Sequence, residues 1–165
     1  MDNERYERGV QKFKEIKGEK GEEAIARLKE LDPELARYVI EFPFGDVYSR
    51  PGLDLRSREI ATIAALIALG NAVLQLKVHI RSALNVGVSR QEIVEIIIQM
   101  AVYAGFPAAL NAIRAAKEVF EELDQEEKRN RTKSLEPKRL VPRLVKVNEK
   151  PRIRQNKSRR YRRVL

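Results

Sequence analysis

Cysteine is absent from this chain of 165 residues, and so is tryptophan. Without a thiol there is no disulfide, no thiolate nucleophile and no sulfur-ligated metal site. Aromatic residues make up 6% of the chain, whereas hydrophobic residues make up 43% and are mainly Ala, Ile, Leu and Val. That balance supplies enough apolar material for a core and favours packed helices over a β-sandwich. Histidine occurs once, as His79. No apolar run approaches the ~18–20 residues of a membrane span, so no membrane partner is expected. The opening stretch, MDNERYERGV, is charged with no apolar run behind it, which does not read as a signal peptide. These absences together lead us to expect a cytoplasmic protein.

What is present is unevenly charged. Residues 1–127 hold 17 Lys and Arg against 22 Asp and Glu, while residues 128–165 hold 16 against 2. The formal net charge of +9 therefore joins an acidic body to a basic tail, and each needs its own reading. We expect a helical domain over 1–127. For 128–165, which has three prolines and no helical periodicity, we expect a disordered tail or one docked on a neighbouring subunit.

Within the body the periodicity is helical throughout, and no 20–50-residue repeat stands out. Tyr6, Val10, Phe13 and Ile16 share one face of a helix over 3–17, which GEKG interrupts. A short helix through Ala24, Leu28 and Leu31 follows. Asp32–Pro33 then offers an N-cap and a proline at the first helical position for PELARYVIEF. PFGDVYSRPGLD (43–54), with two prolines and two glycines, reads as an ordered loop. Asp54 is placed to cap LRSREIATIAALIAL, whose stretch from Ile60 to Leu69 has Thr62 as its one polar residue. A helix apolar all round is expected to be buried on all sides. The next helix, about 72–86, carries His79 and ends at Gly87. Ser89 and Glu92 form an S-x-x-E capping box for the one that follows, and Gly105 stops that helix. An alanine-rich helix over about 107–123 completes the body. The expected architecture is all-α, a bundle of about six or seven helices.

On a helical wheel Val73, Leu76, Ile80 and Ala83 form a stripe with His79 at its border. Leu74 and Val78 lie on the far side, so a second apolar face needs a cover, and a partner subunit is the simplest one. The plain reading of His79 is a half-buried ring bonded to a backbone carbonyl. The functional reading is proton transfer, for which an unperturbed histidine is suited near pH 7. Glu59, 20 residues earlier at the mouth of the most apolar helix, can meet His79 if the two helices are antiparallel. A carboxylate there fixes the imidazole tautomer. The plain reading of Glu59 is a carboxylate favoured by a helix N-terminus. Arg56 and Arg58 read equally as first-turn surface charges.

Three stretches carry a specific pattern: FGDVYSRPGLDLRSRE (44–59), LKVHIRSALNVGVSRQEIVE (76–95) and QMAVYAGFPAALNAI (99–113). Together they resemble the carboxymuconolactone decarboxylase family, across most of residues 40–120. The resemblance implies an all-helical, alkylhydroperoxidase D-like fold that assembles into trimers or hexamers, with sites near subunit interfaces. It implies two chemistries. One branch reduces peroxides or disulfides through a Glu, a Cys-x-x-Cys pair and a His. Glu59 and His79 match that Glu and His, but Asn71 to Lys77 occupy the region of the cysteines, so the thiol reaction has no nucleophile here.

The other branch decarboxylates a carboxylated lactone and needs no thiol. Loss of CO2 beside an unsaturated lactone leaves an electron pair on the lactone oxygen, and the protein must stabilise that oxyanion and supply one proton. The resemblance thus points to His79 as proton donor, held by Glu59, with no cofactor. Arg56 or Arg58 would bind a substrate carboxylate, and Phe44, Tyr48 and Tyr103 would line the pocket, unless these aromatics are ordinary core or interface residues. The expected partners are further copies of the chain and a small carboxylate. A second reading is a non-catalytic oligomer whose basic tail binds nucleic acid or an acidic partner. A third has the tail wrapping a neighbouring acidic body.

Overall fold

A computed structural model of the protein describes residues 3–135. The expected tail lies outside these residues, apart from its first eight. Among the described residues there are seven α-helices and no strand: α1 (Asn3–Lys17), α2 (Gly21–Leu31), α3 (Pro33–Val39), α4 (Leu55–Leu69), α5 (Val73–Asn85), α6 (Arg90–Ala104) and α7 (Phe106–Leu135). A one-turn 3-10 segment, Gly18–Lys20, separates α1 from α2, and a π-helical stretch, Ile40–Tyr48, continues α3. No helix among them is long and apolar enough to cross a membrane.

The helix boundaries follow from capping chemistry. Asp32 accepts from the Leu35 amide at 2.7 Å and Asp54 from the Ser57 amide at 2.7 Å, each satisfying an otherwise unpaired first-turn donor. Ser89 and Glu92 complete the reciprocal capping box on α6. Gly70, at φ 72°, closes α4 in the left-handed conformation that glycine tolerates.

Two apolar clusters result. One fills α4–α7 around Ile63, Ile67, Leu76, Ile80, Ile93, Ile97 and Val119. The other joins α1, α2 and the π-helical stretch through Phe13, Ile16, Ile25, Ile40 and Phe44. Ile16, Ile40, Ile63, Ile80 and Ile93 are fully buried, each contributing roughly 1.5–3 kcal/mol of burial. Arg56 of α4 pairs with Glu92 of α6, so these helices start together and run parallel. Arg90 at the start of α6 reaches Asp124 of α7 at 2.6 Å, so that pair is antiparallel.

Three sequence expectations are corrected. Residues 43–48 are not a loop but part of the π-helical stretch. Pro43 cannot donate to an α-helical ladder, and its ring clashes with the carbonyl four residues back, so the chain widens its winding instead of breaking. Gly45 there serves close packing rather than a turn: a Cβ on it would lie 2.7 Å from the Arg5 carbonyl oxygen, and one on Gly9 would lie 2.2 Å from that of Ile40. Second, α4 fully buries only the stripe Glu59, Ile63 and Ile67; Ile60, Ala64 and Leu66 are partly covered, and Leu69 is 65% exposed. Third, the last helix runs on to Leu135, well past 123.

Candidate active site

Glu59 occupies the first position of the buried α4 stripe, spaced by four from Ile63 and by eight from Ile67, so the helix carries its carboxylate into the core. It is 0% exposed. A buried carboxylate is costly unless paired and hydrogen-bonded. Its partner is His79: Nδ1 lies 2.8 Å from Glu59 Oε2. The other oxygen, Oε1, is buried without any hydrogen-bond partner among the described residues.

His79 stands at the edge of the α5 stripe of Leu76, Ile80 and Ala83, and its side chain is 19% exposed. Because a carboxylate only accepts, Nδ1 carries the hydrogen and donates it to Glu59. Nε2 is thereby the nitrogen left to exchange a proton, and it makes no hydrogen bond to a described residue.

Two hydroxyls flank this pair, each one turn along its helix. On α4, the Thr62 hydroxyl donates to the Arg58 carbonyl at 2.9 Å. Its oxygen therefore accepts from the Tyr48 hydroxyl at 3.0 Å. Burial raises the Tyr48 phenol above its ordinary 10, and the nearby Glu59 charge adds to the rise. On α5, the Ser82 hydroxyl donates to the Val78 carbonyl at 3.0 Å and accepts from Lys17 Nζ at 2.8 Å. Lys17 is the last residue of α1. Burial lowers its amine below the ordinary 10.5, partly offset by the Glu59 charge. The polar groups thus collect where the two apolar clusters meet. Among the described residues no group of three or more His, Asp or Glu side chains is gathered as a metal ion would require.

The structure brings Glu59, His79 and Tyr48 together. Phe44 sits beside Tyr48, with ring centroids 5.3 Å apart, but is buried against Phe13 at 4.8 Å as part of the core. Arg58 lies over the Tyr48 ring at 5.7 Å and donates to the carbonyls of Leu53 at 3.2 Å and Arg50 at 3.0 Å. Arg56 points the other way, into its ion pair with Glu92. Backbone and side-chain hydrogen bonds from Ser89, with Arg56, hold that carboxyl down to about 2. Tyr103 is 76% exposed at the end of α6. Since α4 and α6 run parallel, it lies toward the far end of α4 from Glu59.

Sequence reading singles out neither Lys17 nor Ser82 as a site residue, and it marks Thr62 only as the one polar residue of an apolar stretch. Their spacing held a signal: Lys17 is four residues from buried Phe13, Thr62 three from Glu59, and Ser82 three from His79.

Residues 33–118 match the family model described as the carboxymuconolactone decarboxylase family. The chain belongs to that family. It is 37% identical over 123 residues to a 4-carboxymuconolactone decarboxylase from Acinetobacter baylyi, covering 74% of this chain and 91% of the relative. It is 29% identical over 119 residues to a nitrosuccinic acid decarboxylase from Metarhizium robertsii, covering 72% of this chain and 82% of the relative. An uncharacterised 15.0 kDa protein of Paracoccus denitrificans is 36% identical over 100 residues, covering 60% and 75% of the two chains. Membership in a family of decarboxylases supports a decarboxylase-like function. Glu59 and His79 fall inside the stretch matched by the family model, and Lys17 falls before it.

Proposed function

We propose that the protein is a cofactor-free decarboxylase of a small acid whose departing carboxylate sits next to an electron-accepting group, such as a lactone or keto function. The carrying observation is the Glu59–His79 contact at 2.8 Å, with Nε2 unpartnered and the ring partly open to solvent. In this reading the bond to the carboxylate breaks, CO2 leaves, and its electron pair moves into the acceptor group. The Nε2–H of protonated His79 then delivers the proton to carbon, and the ring recovers one from solvent. Glu59 keeps Nδ1–H in place throughout, so the exchanged proton is always the one on Nε2. The names of two relatives, one acting on a carboxylated lactone and one on a nitro diacid, support this substrate class.

Incubation with 4-carboxymuconolactone, and separately with nitrosuccinate, tests the reading through CO2 release. Turnover of either above the uncatalysed rate is expected. No release with these or with a panel of lactone and keto acids would end it.

We also infer that copies of the chain associate through one end of the α4–α7 bundle. Leu69, Val73, Leu74, Val102, Tyr103 and Phe106, at the joints of α4 with α5 and of α6 with α7, are all exposed, and exposed apolar side chains in such number call for a cover. A homotrimer or homohexamer is the expected assembly.

A further inference from the structure

Lys17 is placed where packing alone does not explain it. A half-buried ammonium gives up hydration and calls for acceptors for its three N–H groups. Lys17 has one oxygen partner, Ser82 Oγ at 2.8 Å, and otherwise rests against the Phe13 ring at 5.7 Å. Ser82 is 1% exposed. Its own proton is committed to the Val78 carbonyl, so its oxygen is fixed as an acceptor that aims the amine. Two ammonium N–H groups keep no oxygen partner among the described residues. Glu59 is near enough for its charge to act on Lys17, yet it forms no ion pair with it and leaves Oε1 unpartnered.

The other cations considered for a substrate carboxylate are engaged elsewhere. Arg56 is paired with Glu92, and Arg58 ties down the carbonyls of Arg50 and Leu53. Ser82 follows His79 by three residues, so the side chain that holds the amine and the one that carries the imidazole stand on neighbouring turns of α5. A cation short of acceptors beside a proton-donating ring fits an anion with two ends.

We propose that Lys17, aimed by Ser82, binds a carboxylate that the substrate retains, while the carboxylate to be lost lies against His79. This rests on the decarboxylase reading. The retained group is the better ligand for Lys17, because a cation on the departing carboxylate would stabilise the ground state more than the transition state. The substrate is then a small dicarboxylate, one group held and one released.

Succinate tests the site without turnover, since it has no group to accept the electron pair. The chain's one histidine makes the imidazole NMR signals an unambiguous reporter. Succinate should shift them saturably in the wild type. Binding should weaken at least tenfold in Lys17→Met and Ser82→Ala should weaken it less, while Lys17→Arg should retain part of it. Melting temperatures show whether each variant is folded. With a turned-over acid, Lys17→Met should raise KM far more than it lowers kcat. No saturable shift in the wild type, or an unchanged one in folded Lys17→Met, overturns the assignment. Lys17-dependent succinate binding in a protein that releases no CO2 would sink the decarboxylase reading and leave the dicarboxylate site standing.

Discussion

Glu59 Oε2 and His79 Nδ1 define the smallest unit of the account, and Glu59→Gln probes it with little change of shape. The amide offers an oxygen to Nδ1–H but no charge, and its NH2 can turn toward the ring. Decarboxylation should fall by roughly 10²–10⁴, with the imidazole resonances displaced. Thr62→Val keeps the volume and removes the acceptor of the Tyr48 hydroxyl, so it should cost about 1 kcal/mol in denaturant unfolding. Lys17 makes a prediction about pH. Its folded amine titrates below the ordinary 10.5 because burial disfavours the cation, so the unfolded chain binds that proton more tightly. Stability should therefore rise as pH climbs toward 10.5, and this rise should be missing in Lys17→Met. At this scale the sequence was half readable. The one imidazole and the carboxylate heading an apolar helix stand out against their neighbours. Lys17 does not, because it is one of many lysines and only the placement of α1 against α5 makes it unusual.

Elements hold the site through two junctions. The first is the contact of α1 with the π-helical stretch, where Gly9 and Gly45 let backbones meet and Arg5 Nε bridges both Asp46 carboxylate oxygens at 3.0 Å. Gly9→Ala puts a methyl 2.2 Å from a backbone oxygen that cannot swing aside. It should destabilise by about 3 kcal/mol or more and displace Tyr48, readable as loss of thermal stability. The second is the start of α6, where Ser89 and Arg56 hold Glu92 down to about 2 from an ordinary 4.5. That stabilisation is fully present above pH 4.5 and is lost as pH falls through about 2. Acid unfolding of Glu92→Gln should consequently be less steep across this window than that of the wild type. Caps and helix stripes are local, so Asp32, Asp54 and the Ser89–Glu92 box were legible. The π-helical stretch was not, because proline and glycine ordinarily mark loops, and their role here depends on a helix 30 and more residues away.

At the scale of the molecule, two apolar clusters pack with a polar seam between them, and the proposed chemistry lies in that seam. The all-helical class was open to sequence reading from composition and 3.6-residue periodicity. The second apolar face of α5, with Leu74 and Val78 exposed, was legible too; which faces of α4 remain uncovered was not, since α4 looks equally apolar on every side, and only the bundle shows which stripe it buries. Val102→Glu adds a charge to the exposed end of α6 and should convert the proposed assembly to smaller species in sedimentation velocity, while circular dichroism stays helical. The most direct measurement of the central claim is CO2 release from 4-carboxymuconolactone by His79→Gln beside the wild type. A fall of at least about a hundredfold in a folded variant is predicted; release at the wild-type rate would contradict the role of His79.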